Sequence, residues 1–267
     1  MAIKVAVSGK GGVGKTTVAA SLALQYAREG MDVVAVDADP ASSLPVALGV
    51  PEEVRNGITP LSDMLDLIEE RTGVRPGEGY GGMFSLNPKV DDLVDRFAVQ
   101  GMEGVKVMVL GTIKAPGSGC FCPESALLKN LMNHLVLDRE HVVILDMEAG
   151  LEHLGRSTVR DVDVLLVIVE PGRRSVETAV RIADMASSLG VGSVLAVLNK
   201  VHDDAQQQEL RSLVEKEGLQ VAAVIRHDGG LVAADLAGRP VGLSSVGEQA
   251  ISALKERIYG AVIKGRE

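Results

Sequence analysis

The sequence predicts an α/β fold in which a doubly wound, mostly parallel sheet carries helices on both faces. Short β-branched segments alternate with longer amphipathic segments along nearly all of the 267 residues. This alternation is typical of strand–helix units on a parallel sheet. The first such strand runs directly into a glycine-rich loop that opens a helix, the order found in phosphate-binding units.

Each predicted strand is short and apolar, as strands buried between two layers of helices are. The predicted strands are residues 3–7, 33–36, 106–110, 142–145, 164–169, 194–198 and 221–225. The predicted helices include residues 16–29, ended by Gly30, and residues 125–137 and 248–263. Because no repeat or linker interrupts the pattern, we expect a single domain over residues 1–267. An irregular insertion is expected at about residues 51–104, with a helix at 59–71, a strand at 83–87 and a short helix at 91–97.

Composition narrows the class of partners. The net charge of −9 and the scarcity of aromatic residues argue against nucleic acid, which attracts basic surfaces and stacks on aromatic rings. No apolar run reaches the roughly 20 residues of a membrane span, and the N-terminal strand is too short for a signal peptide. We therefore expect a cytoplasmic protein without stable membrane association. Two cysteines are too few for disulfide bonds to stabilise a domain of this size.

The glycine-rich loop fits the Walker A pattern, with Gly9 and Gly14 followed by Lys15 and Thr16. Its glycines let successive backbone N–H groups turn toward phosphate oxygens, and the helix N-terminus adds positive potential. Lys15 is expected to reach the β- and γ-phosphates of ATP, and Thr16 to ligate Mg²⁺. The predicted nucleotide contacts in this loop are Gly11, Gly12, Val13, Gly14, Lys15, Thr16 and Thr17.

Polar residues also follow other predicted strands, at the edge where open parallel sheets bind ligands. Asp146 ends the strand at 142–145 and fits a Walker B carboxylate that holds a Mg²⁺-bound water. Asn199 and Lys200 end another strand, and the Asn199 amide can meet both a donor and an acceptor of a base edge. Asp228, in the next such loop, is a second candidate for contact with the base or ribose.

The stretch from Lys10 through Thr16 resembles the deviant Walker A motif of the MinD/ParA and nitrogenase iron-protein superfamily. The resemblance implies that Lys10 crosses a dimer interface to the partner's phosphate, so that ATP holds two subunits together. It also implies that Asp39 orients the attacking water and that Asp37 supports the Mg²⁺ region. Gly150 would be the glycine that senses the γ-phosphate. The implied catalytic residues are thus Lys10, Lys15 and Asp39, acting on ATP with Mg²⁺ and releasing ADP.

Cys120 and Cys122 form a Cys-x-Cys element between the strand at 106–110 and the next helix. Pro123 suits a first helical position, which places Cys122 at the N-cap, where the helix dipole favours the thiolate that binds metals. Two thiolates supply half of the four ligands that Zn²⁺ or Ni²⁺ usually takes, and a symmetric dimer would supply the other half. The alternative is that both thiols are unliganded.

Residues 10–17, 117–124 and 146–156 together resemble the CooC family, the nickel-insertion ATPases that mature carbon monoxide dehydrogenase. The resemblance implies a homodimer that binds one Ni²⁺ or Zn²⁺ between subunits through Cys120 and Cys122. It implies a nickel enzyme as client, either carbon monoxide dehydrogenase or acetyl-CoA synthase. Glu152 and His153, within residues 146–156, are candidates for metal ligands or dimer contacts, but a structural or switch role is the favoured interpretation.

Two other functions compete with this interpretation. The first is an iron–sulfur electron-transfer ATPase like the nitrogenase iron protein, although no cysteine follows Asp146 here. The second is a MinD/ParA-like positioning ATPase with a C-terminal amphipathic helix. The apolar residues of segment 248–263 suit a core-packed helix equally well, and the segment lacks the basic face and aromatic anchors of an interfacial helix.

Overall fold

The computed structural model describes residues 3–39, 42–76, 84–111, 123–137, 141–148, 162–242 and 244–266. Within these ranges, eight strands form one sheet in the order β3-β4-β2-β5-β1-β6-β7-β8. All neighbouring strands are parallel except β3, which pairs antiparallel with β4. The strands are β1 Lys4–Gly9, β2 Val33–Ala38, β3 Val99–Gln100, β4 Lys106–Val109, β5 Val142–Met147, β6 Val164–Val169, β7 Val194–Val201 and β8 Gln220–Arg226.

Helices cover both faces of the sheet. They are α1 Lys15–Arg28, α2 Leu44–Ala47, α3 Glu52–Arg55, α4 Leu65–Thr72, α5 Leu93–Phe97, α6 Pro123–Leu137, α7 Arg173–Leu189, α8 Asp204–Lys216, α9 Gly229–Leu236 and α10 Ser245–Arg266. Two hydrophobic clusters lie on opposite faces, and successive strand residues alternate between them: Val34 and Val36 belong to one, Val33 and Ala35 to the other. This alternation is the two-residue period of a strand that is buried on both sides.

The predicted fold class is confirmed, and all seven predicted strands are present with small changes at their ends. The strand order places β1 between β5 and β6, so the chain winds outward in both directions from the centre. The loops that leave β1, β2, β5, β6 and β7 therefore meet at one edge of the sheet. Open parallel sheets bind their ligands at such an edge, next to the strand where the winding direction reverses.

Two predictions within the insertion are wrong. The helix expected at 59–71 is broken at Met64 into a 3₁₀ turn, Leu61–Asp63, and α4. Met64, with φ −81° and ψ 74°, departs from helical backbone, and in the turn before it the backbone N–H of Ser62 donates to the carbonyl of Leu110, just after β4 (2.9 Å). The expected strand at 83–87 is not formed by residues 84–87. Leu86 is exposed there, and the Ser85 N–H donates to the carbonyl of Thr72. The short antiparallel β3 was not predicted.

The last helix packs onto the sheet. Its apolar residues Ile251, Leu254, Ile258 and Val262 are each at most 2% exposed, and they belong to the cluster that also contains α1. The stripe that could have suited a membrane surface is thus used for packing within the chain. No helix among the described residues combines the length and the apolar character needed to cross a membrane.

Replacing Leu254 with alanine should lower the free energy of unfolding by about 2–5 kcal/mol, because it leaves a cavity between α10 and the sheet. Urea denaturation followed by circular dichroism measures this change. The matched control is Ile263→Ala on the same helix, where the side chain is 41% exposed and little stability should be lost. Equal losses in the two variants would contradict the packing described for α10.

Candidate nucleotide site

The phosphate loop connects β1, which ends at Gly9, to α1, which begins at Lys15. Gly14 has φ +94°, and a Cβ at this position would lie 2.3 Å from Nδ2 of Asn199. Only glycine meets both conditions without strain. Gly14 is also the N-cap of α1, and no side chain caps this helix. The first-turn N–H groups of α1 are therefore available to an anion such as a phosphate.

Lys15 points into the site from the first turn of α1 and is 7% exposed. Its Nζ lies 3.7 Å from Oδ2 of Asp39, which follows β2. Asp37 is fully buried and accepts backbone N–H groups from Asp39 (3.1 Å) and Leu44 (3.0 Å). Burial raises the pKa of Asp37 to about 6, against the opposing effect of these hydrogen bonds. Asp37 therefore shapes the turn that carries Asp39. The sequence pattern did not reveal this role of Asp37.

Thr16 and Asp146 meet across the same edge of the sheet. The Thr16 hydroxyl donates to Oδ2 of Asp146 at 2.6 Å and lies 3.2 Å from Oγ of Ser43. Asp146 is fully buried at the end of β5. Burial is the main cause that raises the pKa of Asp146 to about 7. The hydrogen bond from Thr16 opposes this rise, and the nearby Asp37 carboxylate adds to it.

The buried Oδ1 of Asp146 has no hydrogen-bond partner among the described residues. A buried carboxylate oxygen without a partner costs free energy unless a cation or water satisfies it. Hydroxyl and carboxylate oxygens are the ligands that Mg²⁺ accepts, together with phosphate oxygens and water. The donor set of Thr16 and Asp146, backed by Asp37, therefore fits a Mg²⁺ ion that arrives with a nucleotide.

Asn199 and Lys200, at the end of β7, contact the outer side of the phosphate loop. Nδ2 of Asn199 donates to the carbonyl of Val13 (2.7 Å), and Nζ of Lys200 donates to the carbonyl of Gly12. When the N–H groups of such a loop turn inward to a ligand, its carbonyls face outward and need donors. These two residues supply those donors. The sequence analysis, which predicted a contact with the base, did not predict this additional role.

Asp228 caps α9. Its carboxylate accepts the backbone N–H groups of Gly230 (2.9 Å) and Ser244 (3.0 Å), and the hydrogen bonds from Ser244 lower its pKa. The neighbouring His227 ring stacks on His202 with a centroid distance of 4.6 Å. Asp228 thus organises the loop beyond β8, because its carboxylate accepts backbone N–H groups from the first turn of α9 and from Ser244, which follows that helix.

Lys10 and Glu170 form a contact that sequence reasoning missed. Nζ of Lys10 lies 3.6 Å from Oε1 of Glu170, and Nζ of Lys200 lies 3.3 Å from Oε2 of the same carboxylate. Glu170 follows β6, and the only sequence signal for it is an acidic residue at the end of a predicted strand.

Several predicted site residues lie outside the described residues: Gly150, Cys120, Cys122, Glu152 and His153. The Cys-x-Cys element falls between Gly111, which follows β4, and Pro123, where α6 begins as the sequence predicted. Across the described part of the chain, no group of three or more His, Cys, Asp or Glu side chains is arranged to hold a metal ion.

Comparison with known proteins identifies the class. The family model of the CobQ/CobB/MinD/ParA nucleotide-binding domain matches residues 4–241. The chain belongs to this family and is an ATP-binding P-loop ATPase. An uncharacterised ATP-binding protein of Methanocaldococcus jannaschii is 41% identical over 263 residues, covering 98% of each chain. The carbon monoxide dehydrogenase accessory protein CooC of Rhodospirillum rubrum is 41% identical over 237 residues, covering 88% of each.

Among solved structures, the fold resembles that of the MinC:MinD cell division complex of Aquifex aeolicus. The TM-score is 0.68 at 20% sequence identity, over 96% of both chains. At that identity the likeness establishes the fold, and it agrees with the parallel sheet and the phosphate loop described above.

Asp146→Asn should make the nucleotide-free protein more stable at pH 8 and have much less effect at pH 4. Because folding raises the pKa of Asp146 from 3.8 to about 7, the native state binds more protons than the unfolded chain between these values. Its contribution to stability is therefore present at low pH and lost as the pH rises through about 7. A gain of 1 kcal/mol would raise Tm by about 2–4 °C in a domain of this size.

Thermal unfolding at the two pH values, without nucleotide, measures the difference. Asp184→Asn, an exposed substitution on α7 with the same change in charge, is the control and should show no such dependence on pH. If Asp146→Asn is destabilising at pH 8, the buried carboxylate is stabilised by contacts other than those described.

Gly14→Ala should lower the free energy of unfolding by about 1–3 kcal/mol, since it combines an unfavourable φ with a close approach to Asn199. Gly11→Ala, where a Cβ would meet nothing within 4 Å, should be nearly neutral in the nucleotide-free protein. Chemical denaturation of both variants measures the contrast, and similar stabilities would show that the loop adopts another conformation in solution.

Proposed function

We propose that this chain is an ATP-dependent metallochaperone that hydrolyses ATP as a homodimer and assists nickel insertion into carbon monoxide dehydrogenase. The observation that carries this proposal is the 41% identity to the accessory protein CooC, spread over 88% of both chains. Similarity of this extent reaches well beyond the phosphate loop and includes the segment that contains Cys120 and Cys122. Acetyl-CoA synthase is the alternative client.

The site geometry supports the nucleotide part of the proposal. Backbone N–H groups from Gly11 to Thr17 would surround the phosphates, and the buried ammonium of Lys15 would approach the β- and γ-phosphates. In the present structure Lys15 lies near Asp39, so an arriving phosphate would compete for this ammonium. Asp39 would then orient the attacking water as a hydrogen-bond acceptor, and Gly150 would contact the γ-phosphate.

Mg²⁺ would be held by Thr16 and, through water, by Asp146, with Asp37 maintaining the turn beside them. The ion would neutralise charge on the β- and γ-phosphates. The chain's own contribution is a pair of oxygen ligands, Oγ1 of Thr16 and Oδ2 of Asp146, which lie 2.6 Å apart across the edge of the sheet before the ion arrives. Asn199, Lys200 and Asp228 are proposed to border the base and ribose. The first two also support the loop from outside.

The proposed dimer is supported by the exposure and position of Lys10. Its side chain is 43% exposed and lies beside its own loop, where it could extend to a second subunit's phosphate. A symmetric dimer facing through this edge is proposed to bring two copies of the Cys-x-Cys element together, since Cys120 and Cys122 follow β4 in the sequence and precede α6. Four thiolates would then hold one Ni²⁺ or Zn²⁺ ion as cargo.

The double variant Cys120→Ala/Cys122→Ala should lose the binding of one Ni²⁺ or Zn²⁺ per dimer and keep ATP binding, because the thiolates lie apart from the phosphate loop in sequence. Metal titration of the purified protein, with and without ATP, measures stoichiometry and thiolate-to-metal absorption. His134→Ala on α6 is the control, since it removes an imidazole that the proposal does not use.

Three outcomes would contradict the proposal. Unchanged metal uptake in the double variant would reject the Cys-x-Cys site. A brown protein with about four irons per dimer after anaerobic purification would favour the iron–sulfur alternative. Nickel occupancy of carbon monoxide dehydrogenase at limiting nickel should rise when this chain is co-expressed and should not rise with a Lys15→Ala variant. Equal nickel occupancy with this chain and with the Lys15→Ala variant would reject carbon monoxide dehydrogenase as the client.

A further inference from the structure

Glu170 shares one carboxylate between two lysines. Oε1 lies 3.6 Å from Nζ of Lys10 and Oε2 lies 3.3 Å from Nζ of Lys200. The Lys200 ammonium also donates to the carbonyl of Gly12, in the middle of the phosphate loop. A single acidic side chain therefore joins the lysine at the start of the loop, the lysine that supports the loop, and the loop backbone.

The fold determines where this carboxylate lies. Gly9 pairs with Ile168 in the parallel register between β1 and β6, so a residue just beyond β6 lies beside the phosphate loop. The backbone N–H of Glu170 donates to Oγ of Ser175 (3.1 Å), and Ser175 is 2% exposed in the first turn of α7. The turn between β6 and α7 is thus anchored, and the Glu170 side chain extends from a defined point.

We infer that Glu170 is a positioning residue that holds Lys10 beside its own phosphate loop until a second subunit binds ATP. This inference rests on the ATP-driven dimer of the proposed function. When Lys10 moves to the partner's phosphate, Lys200 stays paired with Glu170 and keeps its hydrogen bond to Gly12. The loop therefore retains its shape while the lysine at its start changes partner.

The strengths of the contacts suit a reversible hold. The Lys10 and Lys200 side chains are 43% and 42% exposed, and two ammonium groups divide the charge of one carboxylate. Ion pairs of this exposure are weak and are screened by salt. A triphosphate carries several negative charges in a less exposed site, so it competes with Glu170 for Lys10 without a large energetic cost.

The contact itself is tested in the nucleotide-free protein with Glu170→Gln, which keeps the shape of the side chain and removes its charge. Acetylation of Lys10 by an amine-reactive ester, followed by peptide mass spectrometry, should be faster by about two- to fivefold, the range expected for a half-exposed ion pair. Lys264, exposed on α10, is the internal reference. Glu177→Gln makes the same change of charge at an exposed position of α7 and should leave the rate unchanged.

The consequence for assembly is tested by light scattering across a MgATP titration. The ATP concentration that gives half-maximal dimer should fall by about two- to fivefold in Glu170→Gln and stay unchanged in Glu177→Gln. An unchanged Lys10 acetylation rate in Glu170→Gln would overturn the inference. Faster acetylation with an equal or higher ATP requirement for the dimer would also overturn it.

The two proposals fail in different ways. If the wild-type protein remains monomeric at every MgATP concentration, the dimer of the proposed function is rejected, and with it the release of Lys10 to a partner. The acetylation rates, measured without nucleotide, would still report whether Glu170 holds Lys10 in the single chain.

Discussion

The parallel register of the central strands is the constraint on which the site depends. Val7 of β1, Asp146 of β5 and Asp37 of β2 are aligned in neighbouring strands. Two carboxylates are thereby buried side by side, immediately next to the loop that begins at Gly9. Burial is the main reason that the pKa of each carboxyl is raised, and the Asp37 carboxylate adds to the rise at Asp146. The strand order that stabilises the sheet also creates the need for positive charge at this edge.

The two lysines of the phosphate loop differ in how deeply their side chains are buried. Lys15 is buried and lies close to Asp39, so its ammonium is already in the site without a nucleotide. Lys10 is half-exposed and paired with Glu170 outside the loop. Burial therefore separates a lysine that belongs to its own site from one that is able to reach elsewhere. This distinction gives a physical basis for a loop with two lysines.

The supports of the phosphate loop come from distant parts of the chain. Asn199 and Lys200 reach its outward carbonyls from β7, and Glu170 reaches it from β6. Sequence reasoning placed Asn199 and Lys200 at this edge because the ends of parallel strands share one side of a sheet. It predicted their contact with the base and did not predict their hydrogen bonds to the loop, since a strand end does not reveal which neighbouring loop its side chain contacts. The hydrogen bond from the Ser62 N–H to the Leu110 carbonyl, beside the break at Met64, is another such contact that helical periodicity does not show.

The sequence by itself determined the class of fold, seven of the eight described strands, and the presence and chemistry of the phosphate loop. These features depend on local patterns: β-branched runs, glycines at fixed spacing, and a lysine and threonine at the start of a helix. The tertiary structure alone decided the strand order, the pairing of Thr16 with Asp146, and the sharing of Glu170 between Lys10 and Lys200. Each of these joins residues that are far apart in the chain, and their proximity is set by sheet register and packing, which no local pattern contains.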